Sequence, residues 1–214
     1  KFKETIRLLL TPKLVYTLMK YYKYYANINN INDSILDKFR IFMFPFLGNG
    51  NFKTKNGNLI NIPRKYWMTM PTISGIINYG AHPKWEENIL YVSINDITLA
   101  TSPHDKSIEM SLREMFEDEY QISKIDFNGK NVLDIGANIG DSSVVFAKAG
   151  AKKVYAFEPL PMLHEFLDKN ISINGCKEII FPHKVGLSDK NEKIDIWAMS
   201  YGSAGASSVL HEVG

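Results

Sequence analysis

The chain has 214 residues, a formal net charge of +2 and 45% apolar residues, enough to bury a sizeable core in one α/β domain with an added N-terminal part. Its lysines and arginines are dispersed instead of forming a block, so charge alone gives little support for a nucleic-acid groove. The absence of a long uncharged stretch and of a signal-peptide layout predicts a soluble, cytoplasmic protein with no integral membrane segment, and a single cysteine, Cys176, excludes an intrachain disulfide and fits a reducing compartment.

Residues 1–40 read as a mainly helical segment, with Ile6, Leu9, Leu10, Leu14, Leu18 and Met19 at helical spacing and a break near Thr11 imposed by Pro12. The run Tyr21-Tyr22-Lys23-Tyr24-Tyr25 has two readings. One is a surface for stacking on a base, a sugar or a protein; the other is an amphipathic helix end that packs on the domain. Residues 41–125 read as an accessory α+β layer. Within it, Asn56-Gly57 sits between two short alternating segments and predicts a hairpin. Ile89–Ile94 supplies a further strand and Ile108–Phe116 a helix, which leads to the acidic-aromatic stretch Glu117-Asp118-Glu119-Tyr120.

Residues 126–214 read as the cofactor-binding core, a mostly parallel β-α-β-α-β unit. Strands are expected at 131–135, 153–157 and 179–184, with helices from about Asp141 to Ala149 and from about Leu160 to Ile173, the second ended by Gly175. Right-handed crossovers place the strands side by side, so that Asp134 and Glu158 open at one edge. A central parallel strand is normally buried on both faces, and the first strand therefore needs another neighbour. The remaining residues offer one short strand at 193–198 and a small-residue loop from Gly202 to Ser208. The expectation is a core lacking its C-terminal half, or a homo-oligomer that covers the open edge.

The informative motif is Val132-Leu133-Asp134-Ile135-Gly136-Ala137-Asn138-Ile139-Gly140, followed by the apolar run Val154–Phe157 that ends at Glu158 and Pro159. Gly136 and Gly140 permit a tight turn and a close approach before a helix starts. A carboxylate at the carboxyl end of the second strand suits the two hydroxyls of a ribose. The dinucleotide fingerprint is G-x-G-x-x-G, whereas here the pattern is D-x-G-x-x-x-G, with Asn138 in place of the middle glycine. An anion at Asp134 repels a pyrophosphate but attracts a cation. S-adenosylmethionine carries an amine and a sulfonium and no phosphate, and is the expected cofactor. The competing readings are a dinucleotide, or a turn that only packs a helix on a sheet, with Glu158 as a helix-capping acid.

These segments, together with Val185-Gly186-Leu187-Ser188-Asp189, resemble the FkbM-type family of S-adenosylmethionine-dependent methyltransferases over about residues 112–211. The resemblance implies a Rossmann-like class I methyltransferase core behind an N-terminal helical and β-hairpin extension, and O-methylation of a sugar or another small molecule. It implies that Gly136, Ala137, Asn138 and Gly140 wrap the methionine end of the cofactor and that Glu158 holds the ribose. Lys184 falls where the family commonly has an amide, which implies a backbone contact to adenine; Asp134, Pro159 and Val185 complete the candidate cofactor-binding set. By the same resemblance, Glu117, Glu119 and Tyr120 are second-tier candidates near the cofactor mouth, against the reading of a solvated helix end, and the Ser-rich loop from Gly202 lines the acceptor pocket, against the reading of an ordinary flexible loop.

No catalytic acid or base is assigned. His82 and His104 read as loop residues beside prolines and, like His211 and Glu212 near the end, as candidates for substrate contact; His164 reads as an exposed or satisfied surface residue and His183 as part of the third strand. No pair has the spacing of a helical metal motif, and no metal site is expected. Beside the small-molecule methyltransferase stand two other readings: an RNA methyltransferase, supported by the tyrosine cluster and dispersed lysines, and a noncatalytic cofactor-binding or interaction protein.

Overall fold

Strands β1 (Gly50–Lys53) and β2 (Leu59–Ile62) pair antiparallel, with Phe52 opposite Ile60. Their alternation is that of a half-buried hairpin: Phe52, Ile60 and Ile62 are buried while Leu59 is exposed. A 3-10 segment, Arg64–Thr69, and helix α1 (Met70–Asn78) follow. These belong to the first of two compact units, which divide between Asn78 and Tyr79. The computed structural model describes residues 50–54, 58–117, 122–193, 195–197 and 208–209. The expectations for residues 1–40, including the Tyr21–Tyr25 cluster, for Asn56-Gly57, Glu119 and Tyr120, and for Gly202–Ser207, His211 and Glu212 lie outside the described residues.

The second unit opens with an antiparallel meander of β3 (His82–Glu86), β4 (Ile89–Ile94) and β5 (Ile97–Thr101). In β4, Leu90, Val92 and Ile94 are buried and the residues between them are half-buried, the period of two that a sheet with one buried face imposes. His82 lies on β3, correcting its reading as a loop residue. Helix α2 (Ile108–Phe116) then buries Ile108 and Leu112, one turn apart.

The core is a parallel sheet in the order β6 (Asn131–Ile135), β7 (Lys153–Phe157) and β8 (Ile180–His183). Helix α3 (Asp141–Lys148) connects β6 to β7, and helix α4 (Pro161–Ile173) connects β7 to β8. Proline suits the first turn of α4, where its missing N–H has no intrahelical partner to lose. The helix ends in a Schellman motif: Gly175 has φ +68, Cys176 N donates to Ile171 O at 2.9 Å and Gly175 N to Ser172 O at 3.2 Å. Cys176 is buried under this turn, a packing role for the single cysteine.

Val144, Ala147, Val154, Ala156, Leu167, Ile171 and Ile180 build the core between the helices and one face of the sheet. The opposite face differs from expectation. Leu133 and Ile135 are each 64% exposed, so β6 is not buried on both sides. On that face Tyr155 stacks with Phe181, and Phe157 with His183. The short pair β9 (Ile196–Trp197) and β10 (Ser208–Val209) is antiparallel and places Ser208 in a strand, not in the loop expected there. Strands β6, β7 and β8 with helices α3 and α4 form a Rossmann-like α/β core, and the β1–β2 hairpin lies upstream in the chain.

Candidate cofactor site

The turn after β6 is organised by backbone hydrogen bonds. Gly136 N and Ala137 N both donate to Phe157 O at 3.0 Å, and Gly140 N donates to Ala137 O at 2.7 Å. The chain thereby folds back over the carboxyl end of β7. That path requires left-handed backbone: φ is +80 at Gly136, +53 at Asn138 and +83 at Gly140. Asparagine is among the few side chains that tolerate this region, which is why it serves at 138. A Cβ added to Gly136 would meet nothing within 4 Å, whereas one added to Gly140 would lie 2.4 Å from Leu167 Cδ1. The two glycines therefore serve different needs: Gly140 packs against α4, and Gly136 leaves open space over the cleft.

Glu158 joins the two strand ends. Its Oε2 accepts from Asn138 N at 2.9 Å and its Oε1 from Leu160 N at 2.8 Å, while Glu158 N donates to His183 O at 3.0 Å. Burial raises its carboxyl pKa above the usual value, and the bonds from Leu160 and Asn138 partly offset the rise. Each carboxylate oxygen has a second lone-pair site, so the acid can brace the turn and still accept ligand hydroxyls. The capping role weighed for Glu158 is thus real in the bond to Leu160 N, and it does not exhaust the carboxylate.

Asp134 is buried at the end of β6, and its Oδ2 accepts from Ser142 Oγ at 2.8 Å and Ser143 Oγ at 2.5 Å. Those serines occupy the first turn of α3, so the strand end is tied to the helix start. Beside Asp134, Asp141 is buried at the first position of α3, and its pKa is pushed up to about 6 by burial, against a hydrogen bond from Ser111. Pro159 is half-buried; Lys184 and Val185 are exposed, Val185 by 52%. A Cβ on Gly186 would lie 3.7 Å from Pro159 Cγ, so the segment after β8 runs beside Pro159.

The structure therefore gathers Asp134, Gly136, Ala137, Asn138, Gly140, Glu158, Pro159, Lys184 and Val185 at the carboxyl ends of three adjacent parallel strands. Ligands of open α/β sheets bind in such a crevice. Glu117 is exposed and accepts from Tyr79 Oη at 3.3 Å. His164 departs from its reading as an exposed or satisfied residue: its side chain is 12% exposed, and the buried Nε2 has no hydrogen-bond partner. The serines that hold Asp134 and the asparagines of α4 carry no motif. Their signal in the sequence is polarity inside an otherwise apolar helical stripe. Among the described residues no group of three or more His, Cys, Asp or Glu side chains is placed to hold a metal, and no helix is long and apolar enough to cross a membrane.

No family model matches the chain. It is 32% identical over 108 residues to an RNA methyltransferase of Oceanobacillus iheyensis described as uncharacterized; the match takes in 50% of this chain and 23% of that protein. The chain thus spans about a quarter of the curated relative's length. Among solved structures it is similar to the Methanocaldococcus jannaschii tRNA m1G37 methyltransferase, with 27% identity, TM-score 0.36, and 49% of this chain and 31% of that one covered. It is also similar to the N-terminal domain of human METTL16 in complex with SAH, with 16% identity, TM-score 0.32, and 78% and 64% covered. Superpositions at these scores are partial.

The resemblance to the FkbM-type family is corrected by these findings: no model of that family matches, and the curated relative is an RNA methyltransferase. The physical reason is the generality of the shared residues. A glycine turn after one strand and an acid after the next answer the geometry of a nucleoside-bearing ligand, so they mark a fold and a cofactor class without separating one acceptor from another.

Proposed function

We propose that this chain is the cofactor-binding part of an S-adenosylmethionine-dependent methyltransferase whose acceptor is RNA. The observation that carries the cofactor reading is Glu158, a buried acid at the end of β7 that braces the glycine turn through Asn138 N and keeps lone pairs for two hydroxyls. The open space over Gly136 fits a ligand that comes close to the backbone. Asp134 favours a cationic over a phosphorylated ligand, because its buried charge is felt at low effective dielectric. Pro159, with the chain at Gly186 beside it, frames the adjacent end of the cleft, and Lys184 and Val185 follow the end of β8 there. When bound, S-adenosylmethionine supplies a methyl group already activated on sulfur, so the chain's own task is to hold and orient.

RNA as acceptor is supported by the 32% identity to the bacterial RNA methyltransferase, in place of the sugar or small molecule expected from the sequence. Two measurements test the reading. Calorimetric titration is expected to give tighter binding of S-adenosylhomocysteine than of NAD, and equal or preferred NAD binding overturns the cofactor. Incubation with methyl-labelled S-adenosylmethionine and bulk tRNA is expected to label the RNA in a salt-sensitive manner. Label that enters sugar acceptors and never RNA overturns the acceptor.

A further inference from the structure

Helix α4 begins where the acid of the site ends, and one of its side chains is left with an unanswered polar atom. Leu160 N donates to Glu158 Oε1 at 2.8 Å, and His164 N donates to Leu160 O at 2.9 Å, so Glu158, Leu160 and His164 follow one another along a single bonded path. The imidazole Nδ1 lies 3.4 Å from Asp168 Oδ2, one turn further along. That contact orients the ring and sets Nε2 as the free end. Nε2 is buried and has no partner. Buried polar atoms in folded proteins are almost always paired, and one that is not calls for a reason.

We infer that Nε2 of His164 is a further ligand-binding group of this site, kept for a polar atom of the nucleoside that Glu158 holds. The inference rests on the cofactor reading above and deepens it. The imidazole ring is at the margin of the surface, with 12% of the side chain exposed. Burial dominates at the Glu158 carboxyl and raises its pKa, while His164 is near enough to act in the opposite direction. A hydroxyl or ring nitrogen between them would therefore meet an acceptor on one side and an imidazole on the other. Asp168 acts through the ring and is a positioning residue.

The test uses the full chain and S-adenosylhomocysteine as probe. His164→Ala is expected to weaken binding by about three- to tenfold, the effect of one lost hydrogen bond. The melting temperature of the ligand-free variant should hold or rise, because an unpaired buried atom has been removed. His164→Gln, which keeps a polar terminus, should recover most of the affinity, and titration of the parent should move the His164 Nε2 nitrogen resonance. Unchanged affinity in both variants with an unmoved resonance overturns the inference and leaves the cofactor reading standing. A lower ligand-free melting temperature with parental affinity assigns His164 to packing and overturns it likewise. Failure of the parent to bind the probe removes both.

Discussion

Asn170 on α4 holds both backbone groups of Ala100 on β5: Asn170 Oδ1 accepts from Ala100 N at 2.6 Å, and Asn170 Nδ2 donates to Ala100 O at 3.0 Å. One turn on, Asn174 does the same for Thr98, at 2.9 and 2.8 Å. Two side-chain amides thus stand in for a neighbouring strand along one edge of β5. Asn170 Nδ2 also donates to Ile139 O at 2.8 Å, inside the glycine turn. The meander and the glycine turn are therefore fixed to the same helix by the same residue.

Replacing Asn170 by Ala leaves the backbone groups of Ala100 and the carbonyl of Ile139 without these bonds. Because the site is buried, the expected loss is about 3 kcal/mol, as for unsatisfied buried groups. Asn174→Ala, at a partly buried pair, should cost less, about 1 kcal/mol. Urea denaturation of the two variants measures the difference, and equal losses would show that burial does not set the cost.

Gly136→Ala and Gly140→Ala should separate ligand fit from folding. Both carry left-handed backbone strain, on the order of 1–2 kcal/mol. Only Gly140→Ala also drives a methyl into the buried Leu167, adding about 1–3 kcal/mol of overpacking. The expected pattern is a lower ligand-free melting temperature for Gly140→Ala than for Gly136→Ala, with affinity for S-adenosylhomocysteine lost in Gly136→Ala. Parental affinity in Gly136→Ala would mean that the turn does not approach the ligand.

Glu158→Ala removes the acceptor proposed for the ligand's hydroxyls and frees Asn138 N and Leu160 N. Calorimetry should register a loss of about 1.5–3 kcal/mol in binding S-adenosylhomocysteine, the range for bonds to a charged group. A dissociation constant equal to the parent's would take Glu158 out of the site.

Asp134→Asn keeps the shape of the strand end and removes its charge. S-adenosylmethionine and its demethylated product differ by the sulfonium charge, so the variant should lose affinity for the former more than for the latter, by about 1 kcal/mol. An unchanged ratio of the two dissociation constants would mean that the charge is not felt at the sulfur.

Asp141 gives stability a pH dependence opposite to that of a salt-bridged acid. Its folded pKa of about 6 lies above the ordinary 3.8, so the folded chain binds more protons between these values than the unfolded one. The contribution of Asp141 is full below about pH 4 and is lost as pH rises through 6, by about 3 kcal/mol for a shift near two units. Asp141→Asn should therefore be more stable than the parent at pH 7.5 and gain nothing at pH 4. Chemical denaturation at both values checks this, and a variant without advantage at pH 7.5 contradicts it.

The sequence by itself determined the elements whose signals are short-range. Strands 131–135 and 153–157 and helices 108–116 and 141–148 stand where apolar runs, helical spacing and the glycines place them, because periodicity and chirality act over a few residues. The motif from Asp134 to Gly140 and Glu158 was legible for the same reason. Strand β5 and helix α1 were not read, since β5 does not alternate in burial and α1 is nine residues long with a glycine inside it. His82 was misread because proline at 83 suggests a loop, although a strand at the edge of a sheet accepts it.

What only the tertiary structure decided concerns polar atoms and their partners. Asn170 lies 70 residues from Ala100 and 31 from Ile139, and no local pattern announces such a bond. Whether Asp134 is braced by Ser142 and Ser143, whether Nε2 of His164 is paired, and which face of β6 is covered depend equally on what packing brings near. A hydrogen bond is satisfied by position in space, and the chain's local preferences fix only where each element starts, how it turns and which of its faces is apolar.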